Sequence, residues 1–341
     1  MSRRFLVAPD SFKGTFGAAE VANAIAAGIE AGGGKADRCP VADGGEGTME
    51  VLLGALGGER RTARVHDPLR RSIEASFALL GGGETAVVEV AQASGLPLLA
   101  PEERDPERAD TYGAGELMAA AVAAGAKRVL VAAGGSATTD GGRGAIEALR
   151  QSNAAFVLCS AEGEQRTNAA GREVAIEVLC DVRTPFEGAA RVFAPQKGAD
   201  PEAVERLSGQ LQEFAAELPR DPRGLPMGGC AGGLSGGLWA HGAELRAGAD
   251  FVLDAIGFDA RLAHADAVVS GEGRFDPQSL GGKIVGAIAD RCAATGKPLH
   301  LLVGENALPL PLPPVVSSVS IAGNLEEMQR AGAGLALLPP K

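Results

Sequence analysis

Aromatic residues are scarce: one Trp, one Tyr and 11 Phe among 341 residues, too few for the stacked-base platforms that hold single-stranded nucleic acid. Basic charge is short as well. Thirty-two Lys and Arg stand against 43 Asp and Glu, a formal net charge of −11, and a field of that sign repels polynucleotides and anionic membrane surfaces. Long apolar runs are missing: the run after the basic start Met1-Ser2-Arg3-Arg4 ends at Pro9-Asp10, and the longest later one, residues 117–126, is far too short to span a bilayer. The five cysteines, Cys39, Cys159, Cys180, Cys230 and Cys292, form no C-x-x-C pair, which points away from a disulfide framework or structural zinc and towards a reducing cytoplasm. The four histidines, His66, His241, His264 and His300, are dispersed, and H-E-x-x-H and G-x-S-x-G do not occur. A Walker A loop is absent too, because Gly281-Gly282-Lys283 runs into Ile284 where Ser or Thr is needed.

Glycine is what the chain has in excess, 49 residues without a triplet period, about twice ordinary usage. Hydrophobic and charged shares of 45% and 22% are those of a globular protein, and the length suits two domains. Phe5-Leu6-Val7-Ala8 reads as a buried strand, followed by a polar loop and a helix with Val21, Ile25 and Ile29 at helical spacing. Cys39-Pro40-Val41-Ala42 reads as a second strand, again followed by a polar loop and a helix, which makes a βαβ start with parallel pairing. The β-rich segments at 72–80 and 85–90, joined through Gly81-Gly82-Gly83, predict an antiparallel hairpin. Residues 267–270 and 299–303 and 315–321 return to buried strands, with a helix over 284–294, and the proline cluster at 309–314 predicts a stiff connection. Residues 228–237, with six glycines, read as a hinge or a close-approach loop. The predicted fold is α/β: a Rossmann-like parallel-sheet domain built from both chain ends, 1–64 and 255–341, with an inserted mixed α/β domain at 65–254.

Ligands in such sheets bind beyond the carboxyl ends of the strands, and this chain repeats one polar kit there. In Lys127 to Gly142 a buried strand breaks at Gly134-Gly135, passes Ser136, Thr138 and Asp140, and enters a helix. A loop of this kind can aim N–H groups and hydroxyls at an anion while the helix start adds partial positive charge. Asp10-Ser11-Phe12-Lys13, Asp43-Gly44-Gly45-Glu46, Asp181, Gln196-Lys197 and Glu272-Gly273-Arg274-Phe275-Asp276 are similar. Carboxylates suit Mg²⁺, single cations suit phosphate oxygens, and glycines admit a ligand to the backbone.

Five segments in order, Ala8-Pro9-Asp10-Ser11-Phe12-Lys13-Gly14, Pro40-Val41-Ala42-Asp43-Gly44-Gly45-Glu46-Gly47-Thr48, Gly134-Gly135-Ser136-Ala137-Thr138-Thr139-Asp140-Gly141-Gly142, Pro195-Gln196-Lys197-Gly198-Ala199 and Ser270-Gly271-Glu272-Gly273-Arg274, resemble the bacterial glycerate kinase family of the glyoxylate and glucarate pathways. The chain departs from that family's pattern at Thr139 and Thr184, both usually Asn there, in a shortened stretch between Leu149 and Glu173, and in a shortened C-terminal region. The resemblance implies ATP-dependent phosphorylation of D-glycerate with Mg²⁺, two α/β domains with the active site in the cleft between them, and 2-phosphoglycerate as product. On that footing Asp43, Asp181 and Lys13 are the expected catalytic residues. Asp10, Ser11, Gly44, Gly45 and Arg274 are expected on the substrate. Gly134, Gly135, Ser136, Thr138, Lys197, Gly271 and Lys283 are expected on nucleotide or phosphate, and Asp140, Glu46, Glu272 and Asp276 on the metal. A kinase for another small sugar acid and a silent nucleotide-binding relative stay open, as does the choice between monomer and homodimer. No nucleic-acid or membrane partner is expected.

Overall fold

A computed structural model describes residues 2–152, 158–159, 165–166, 174–280, 283–307 and 312–338. The strands in chain order are β1 (Arg4–Pro9), β2 (Lys35–Arg38), β3 (Gly58–His66), β4 (Ser72–Leu80), β5 (Thr85–Glu89), β6 (Arg128–Ala132), β7 (Leu158–Cys159), β8 (Gln165–Arg166), β9 (Ala175–Cys180), β10 (Glu244–Ala247), β11 (Ala267–Phe275), β12 (Leu299–Asn306) and β13 (Val316–Ile321). The helices are α1 (Ala18–Ala31), α2 (Thr48–Leu56), α3 (Ala91–Ser94), α4 (Tyr112–Ala123), α5 (Arg143–Gln151), α6 (Ala189–Phe193), α7 (Pro201–Glu217), α8 (Leu234–Ala240), α9 (Gly248–Ala255), α10 (Phe258–Ala263), α11 (Ile284–Thr295) and α12 (Leu325–Ala336). They group into two compact units, Met1–Asp43 with Ala249–Lys341, and Gly44–Gly248. None of the described helices is long and apolar enough to cross a membrane.

The first unit is a parallel sheet in the order β13-β12-β11-β1-β2. The two-residue period of a strand explains the unbroken apolar run of β1. Phe5 and Val7 pack with Val21, Ile25 and Ile29 of α1 and Met328 of α12, whereas Leu6 and Ala8 belong to the other core, with Leu262, Ile284 and Ile288. The second strand is β2, paired in register with Arg4 to Val7, rather than residues 39–42. Those residues still run beside β1, Cys39 N–H donating to the Val7 carbonyl at 2.8 Å and Val41 N–H to that of Pro9 at 3.1 Å. Pro9 and Pro40 have no N–H, so the ladder lapses. Strand β11 also runs further than the sequence indicates, because β12 extends with it and pairs Arg274 with Glu305 and Phe275 with Asn306.

The second unit holds a six-stranded sheet, β10-β9-β6-β5-β4-β3. Strands β10, β9, β6 and β5 are parallel, and β4 and β3 complete the sheet antiparallel, with the predicted hairpin between β4 and β5. The division between units falls at Asp43/Gly44 and Gly248/Ala249 where residues 64/65 and 254/255 were expected. Strand β3 pairs with β4 over its whole length, from Gly58 opposite Leu80 to His66 opposite Ser72, and so belongs entirely to the second sheet. Residues 228–237 are buried throughout, which is a close-approach loop and not a hinge. A Cβ on Gly232 would lie 2.0 Å from the Thr138 carbonyl oxygen, and one on Gly237 2.1 Å from that of Gly141. Most of the shortened 149–173 stretch and the start of the proline cluster, 309–311, lie outside the described residues.

Helices α1 and α12 touch through glycine. A Cβ on Gly28 would lie 1.9 Å from the Gln329 carbonyl oxygen, and one on Gly332 2.4 Å from that of Ile25. Gly28→Ala and Gly332→Ala are each expected to destabilise the first unit by about 1–3 kcal/mol through overpacking. Gly54→Ala, at a helical position with open space around it, serves as the control and leaves the thermal melt unchanged or slightly raised.

Candidate active site

In the first unit, buried carboxyl groups collect at the strand ends. The Asp10 N–H donates to the Gly271 carbonyl at 2.8 Å, which fixes Asp10 beside the middle of β11, next to its Glu272. Asp10 and Asp43 are only 5% and 2% exposed. The Asp10 Oδ1 accepts the Ser11 N–H at 2.6 Å, and Lys13, 52% exposed at its side chain, brings Nζ to 3.8 Å from Asp43 Oδ2. Burial drives the Asp10 pKa well above the ordinary carboxyl range, with the Asp43 charge next and Glu272 adding a little, against the pull of Lys13 and Ser11. Burial likewise pushes Glu272 up to about 7, with Asp276 and Asp43 adding to the rise while Ser279 and Lys283 oppose it. Glu272 Oε1 is buried with no hydrogen-bond partner.

This trio needs a proton or a cation, since three carboxylates sharing a dry site repel one another. Among the described residues no three His, Cys, Asp or Glu side chains are placed to hold a metal ion by themselves. Mg²⁺ ordinarily keeps several waters and takes one or two protein carboxylates together with phosphate oxygens. The unpartnered Glu272 oxygen beside Asp10 is a donor of that kind, so the residues present fit the ion. Arg274, expected on the substrate, is exposed and 3.9 Å from both Asp276 Oδ2 and Glu305 Oε2. Gly271 and Lys283, expected on phosphate, belong to this unit: a Cβ on Gly271 would lie 1.8 Å from the Leu302 carbonyl oxygen, and half-buried Lys283 precedes α11, where its charge acts on Glu272.

The second unit presents a different chemistry. After β6, Ala133 N–H donates to the Leu179 carbonyl and Ala137 N–H to that of Ser94. Among the described residues nothing accepts the N–H groups of Gly134, Gly135, Ser136, Thr138 or Thr139. The Thr138 and Thr139 hydroxyls are also buried without partners. Buried amides are almost always paired with protein, water or ligand, so this loop is built to receive an acceptor. Lys197 lies beneath it, 3% exposed, donating to the Thr138 carbonyl at 2.6 Å and to Ser136 Oγ at 3.0 Å. Gly134 has to be glycine, because its Cβ would sit 2.7 Å from the Gly45 Cα. Gly44, Gly45 and Glu46, expected on substrate and metal, thus pack as a second loop against the first within this unit, with Glu46 exposed.

Asp140, expected on the metal, is a clasp. Its Oδ2 accepts the Thr111 N–H at 3.0 Å, the Thr111 hydroxyl at 2.7 Å and the Gly144 N–H at 3.0 Å, and its Oδ1 accepts the Gly142 N–H at 3.1 Å. The start of α5, expected to face an anion, is therefore capped from inside the protein. Helix α2 is treated the same way by Glu89, buried at the end of β5, whose Oε1 accepts the Gly47 and Met49 N–H groups at 2.9 Å each. Glu89 and Thr111 were absent from the sequence-derived site. The signal for Glu89 was an acid closing an apolar strand, the pattern that drew attention to Asp181, which is half-buried just after β9.

The profile of the glycerate kinase family matches residues 5–313. Glycerate 2-kinase of Escherichia coli K12 is 36% identical over 89% of this chain and 85% of its own length. Glycerate kinase of Haemophilus influenzae is 38% identical over 88% and 85%. The crystal structure assigned to glycerate kinase 2 from Salmonella typhimurium LT2 superposes with a TM-score of 0.78 at 33% identity, covering 98% of both chains.

The raised Glu272 pKa has a thermodynamic signature. Between the ordinary value of 4.5 and about 7 the folded state holds a proton that the unfolded state has released, so this group favours folding at low pH and that advantage is lost as pH rises through 7. In chelator-treated protein, Glu272→Gln is expected to match wild type near pH 4.5 and to be more stable by about 1–3 kcal/mol at pH 8. Thermal melts across that range measure it; a pH-independent difference would contradict the assignment.

Proposed function

The chain belongs to the glycerate kinase family, and we propose that it transfers the γ-phosphoryl group of ATP to the 2-hydroxyl of D-glycerate, giving 2-phosphoglycerate and ADP. The observation that carries this reading is that the span matched to the family, 5–313, contains both the buried carboxyl trio and the loop of unpaired amides. Phosphoryl transfer asks little covalent chemistry of a protein and much positioning and charge neutralisation. The N–H groups of the 134–139 loop receive phosphate oxygens, and the charge of Lys197 below them favours the anion. In the first unit Asp43 accepts the proton of the attacking hydroxyl, and the half-exposed Lys13 meets the glycerate carboxylate. Asp10 and Glu272 hold Mg²⁺, which when bound supplies positive charge to the phosphoryl oxygens. Asp181 is outside this trio, and we assign the base to Asp43 in preference to it. Cys39, Cys180, Cys230 and Cys292 are free thiols, in keeping with a cytoplasmic protein.

An ADP-release assay with a panel of hydroxy acids, with and without Mg²⁺, tests the activity, and phosphorus NMR of the product identifies the hydroxyl. A larger kcat/KM for another acid would replace glycerate, and a 3-phosphate would correct the position. Asp43→Asn is expected to lower kcat by about 10²–10⁴-fold with the KM for ATP little changed, while Asp181→Asn keeps most of the activity. The reverse ranking would transfer the role of base to Asp181.

A further inference from the structure

Lys197 is too enclosed to be an ordinary phosphate-contacting lysine. It ends a 3₁₀ turn, Pro195–Lys197, is 3% exposed, and has two of its bonds fixed on the Thr138 carbonyl at 2.6 Å and Ser136 Oγ at 3.0 Å. A hydroxyl is both acceptor and donor. Because Lys197 occupies the acceptor side of Ser136 Oγ, the Ser136 proton is left to donate, and no described protein group accepts it. Ser136 is the more open of the two, 7% exposed, and it stands among the unpaired amides of its loop.

We infer, resting on the phosphate reading of the 134–139 loop, that Lys197 is a positioning residue which fixes the Ser136 hydroxyl as a hydrogen-bond donor to the bound nucleotide phosphate. The polarity of this relay depends on the charge of the amine. An ammonium only donates; a neutral amine still donates to the Thr138 carbonyl but also has a lone pair that takes the Ser136 proton, turning the hydroxyl away from the ligand. Burial brings the Lys197 pKa down to about 7, and Asp140 is the charged group that pulls it back up. On the flanking segments, the backbone of Arg104 packs against the Gly198 position, and Asp200 is engaged with the Ala203 N–H at the start of α7.

ADP binding by calorimetry to wild type, Lys197→Met, Ser136→Ala and the double variant is the test. Each single change is expected to weaken ADP about tenfold, with the double variant no weaker than either single one because both remove the same donor, and with the KM for glycerate unchanged. The ratio of wild-type to Ser136→Ala affinity, in which the titration of ADP itself cancels, is expected to fall as pH rises from 6 to 8. That ratio decides the matter even where Lys197→Met does not fold. Additive losses in the double variant, or a pH-independent ratio, would overturn the relay. Hydrogen exchange on the wild type separates this from the premise: ADP protecting the amides of residues 134–139 upholds the phosphate reading, and no protection there sinks it along with the relay.

Discussion

The Asp140 carboxylate is the interaction on which the second unit's chemistry depends. By joining the Thr111 hydroxyl and N–H to the first amides of α5, it ties the start of α4 to the start of α5 and anchors the far end of the 134–139 loop. Helix dipoles favour an anion at each of these starts, and the protein supplies its own. What remains unpaired is the stretch of backbone between the end of β6 and the clasp. That stretch is held in shape by neighbours that have no side chains to keep them away: Gly45 against Gly134 on one side, and Gly232 against the Thr138 carbonyl on the other. Preorganised amides of this kind neutralise charge without having to turn when the charge arrives.

The first unit solves an opposite problem. Asp10, Asp43 and Glu272 are delivered to one place by parallel strands β1 and β11 and by the segment after β2, and the burial of Asp10 and Glu272, with repulsion between the carboxyl groups second, is a standing cost of the fold. A carboxyl group kept near neutrality by burial can take or release a proton at working pH, and can exchange it for a metal ion. An acidic protein that handles anionic substrates needs this kind of local compensation, since its overall charge of −11 opposes their approach.

Much of this was legible in the sequence. Strands β1, β6 and β12 announced themselves as apolar runs because both faces of a parallel sheet are buried, and their polar endings marked the loops proposed to bind ligand. β2 was not legible: Lys35–Arg38 is a charged edge strand, and the apolar residues after it looked more like a strand than it does. Asp140 looked like a metal ligand because residue type and position show that a carboxylate is near a loop, but not which amides will reach it first; Thr111 lies 29 positions away. Likewise Lys197 read as a phosphate-binding cation, but its near-complete burial by the turn at 195–197 was not legible. The glycines of 228–237 left a hinge and a close approach both open, and it is the second that holds: they let two backbones touch.

The discontinuity of the first unit has a consequence for how the chain is made. Strand β1 lies between β2 and β11, and β11 begins only at Ala267. A ribosome delivering the chain from its N-terminus therefore exposes one edge of β1, with its apolar faces, through the synthesis of the entire second unit. That unit is contiguous from Gly44 to Gly248 and can close while β1 waits. Slow translation through the middle of the message lengthens the interval in which an unpaired Phe5-Leu6-Val7-Ala8 edge is open to aggregation or to a chaperone.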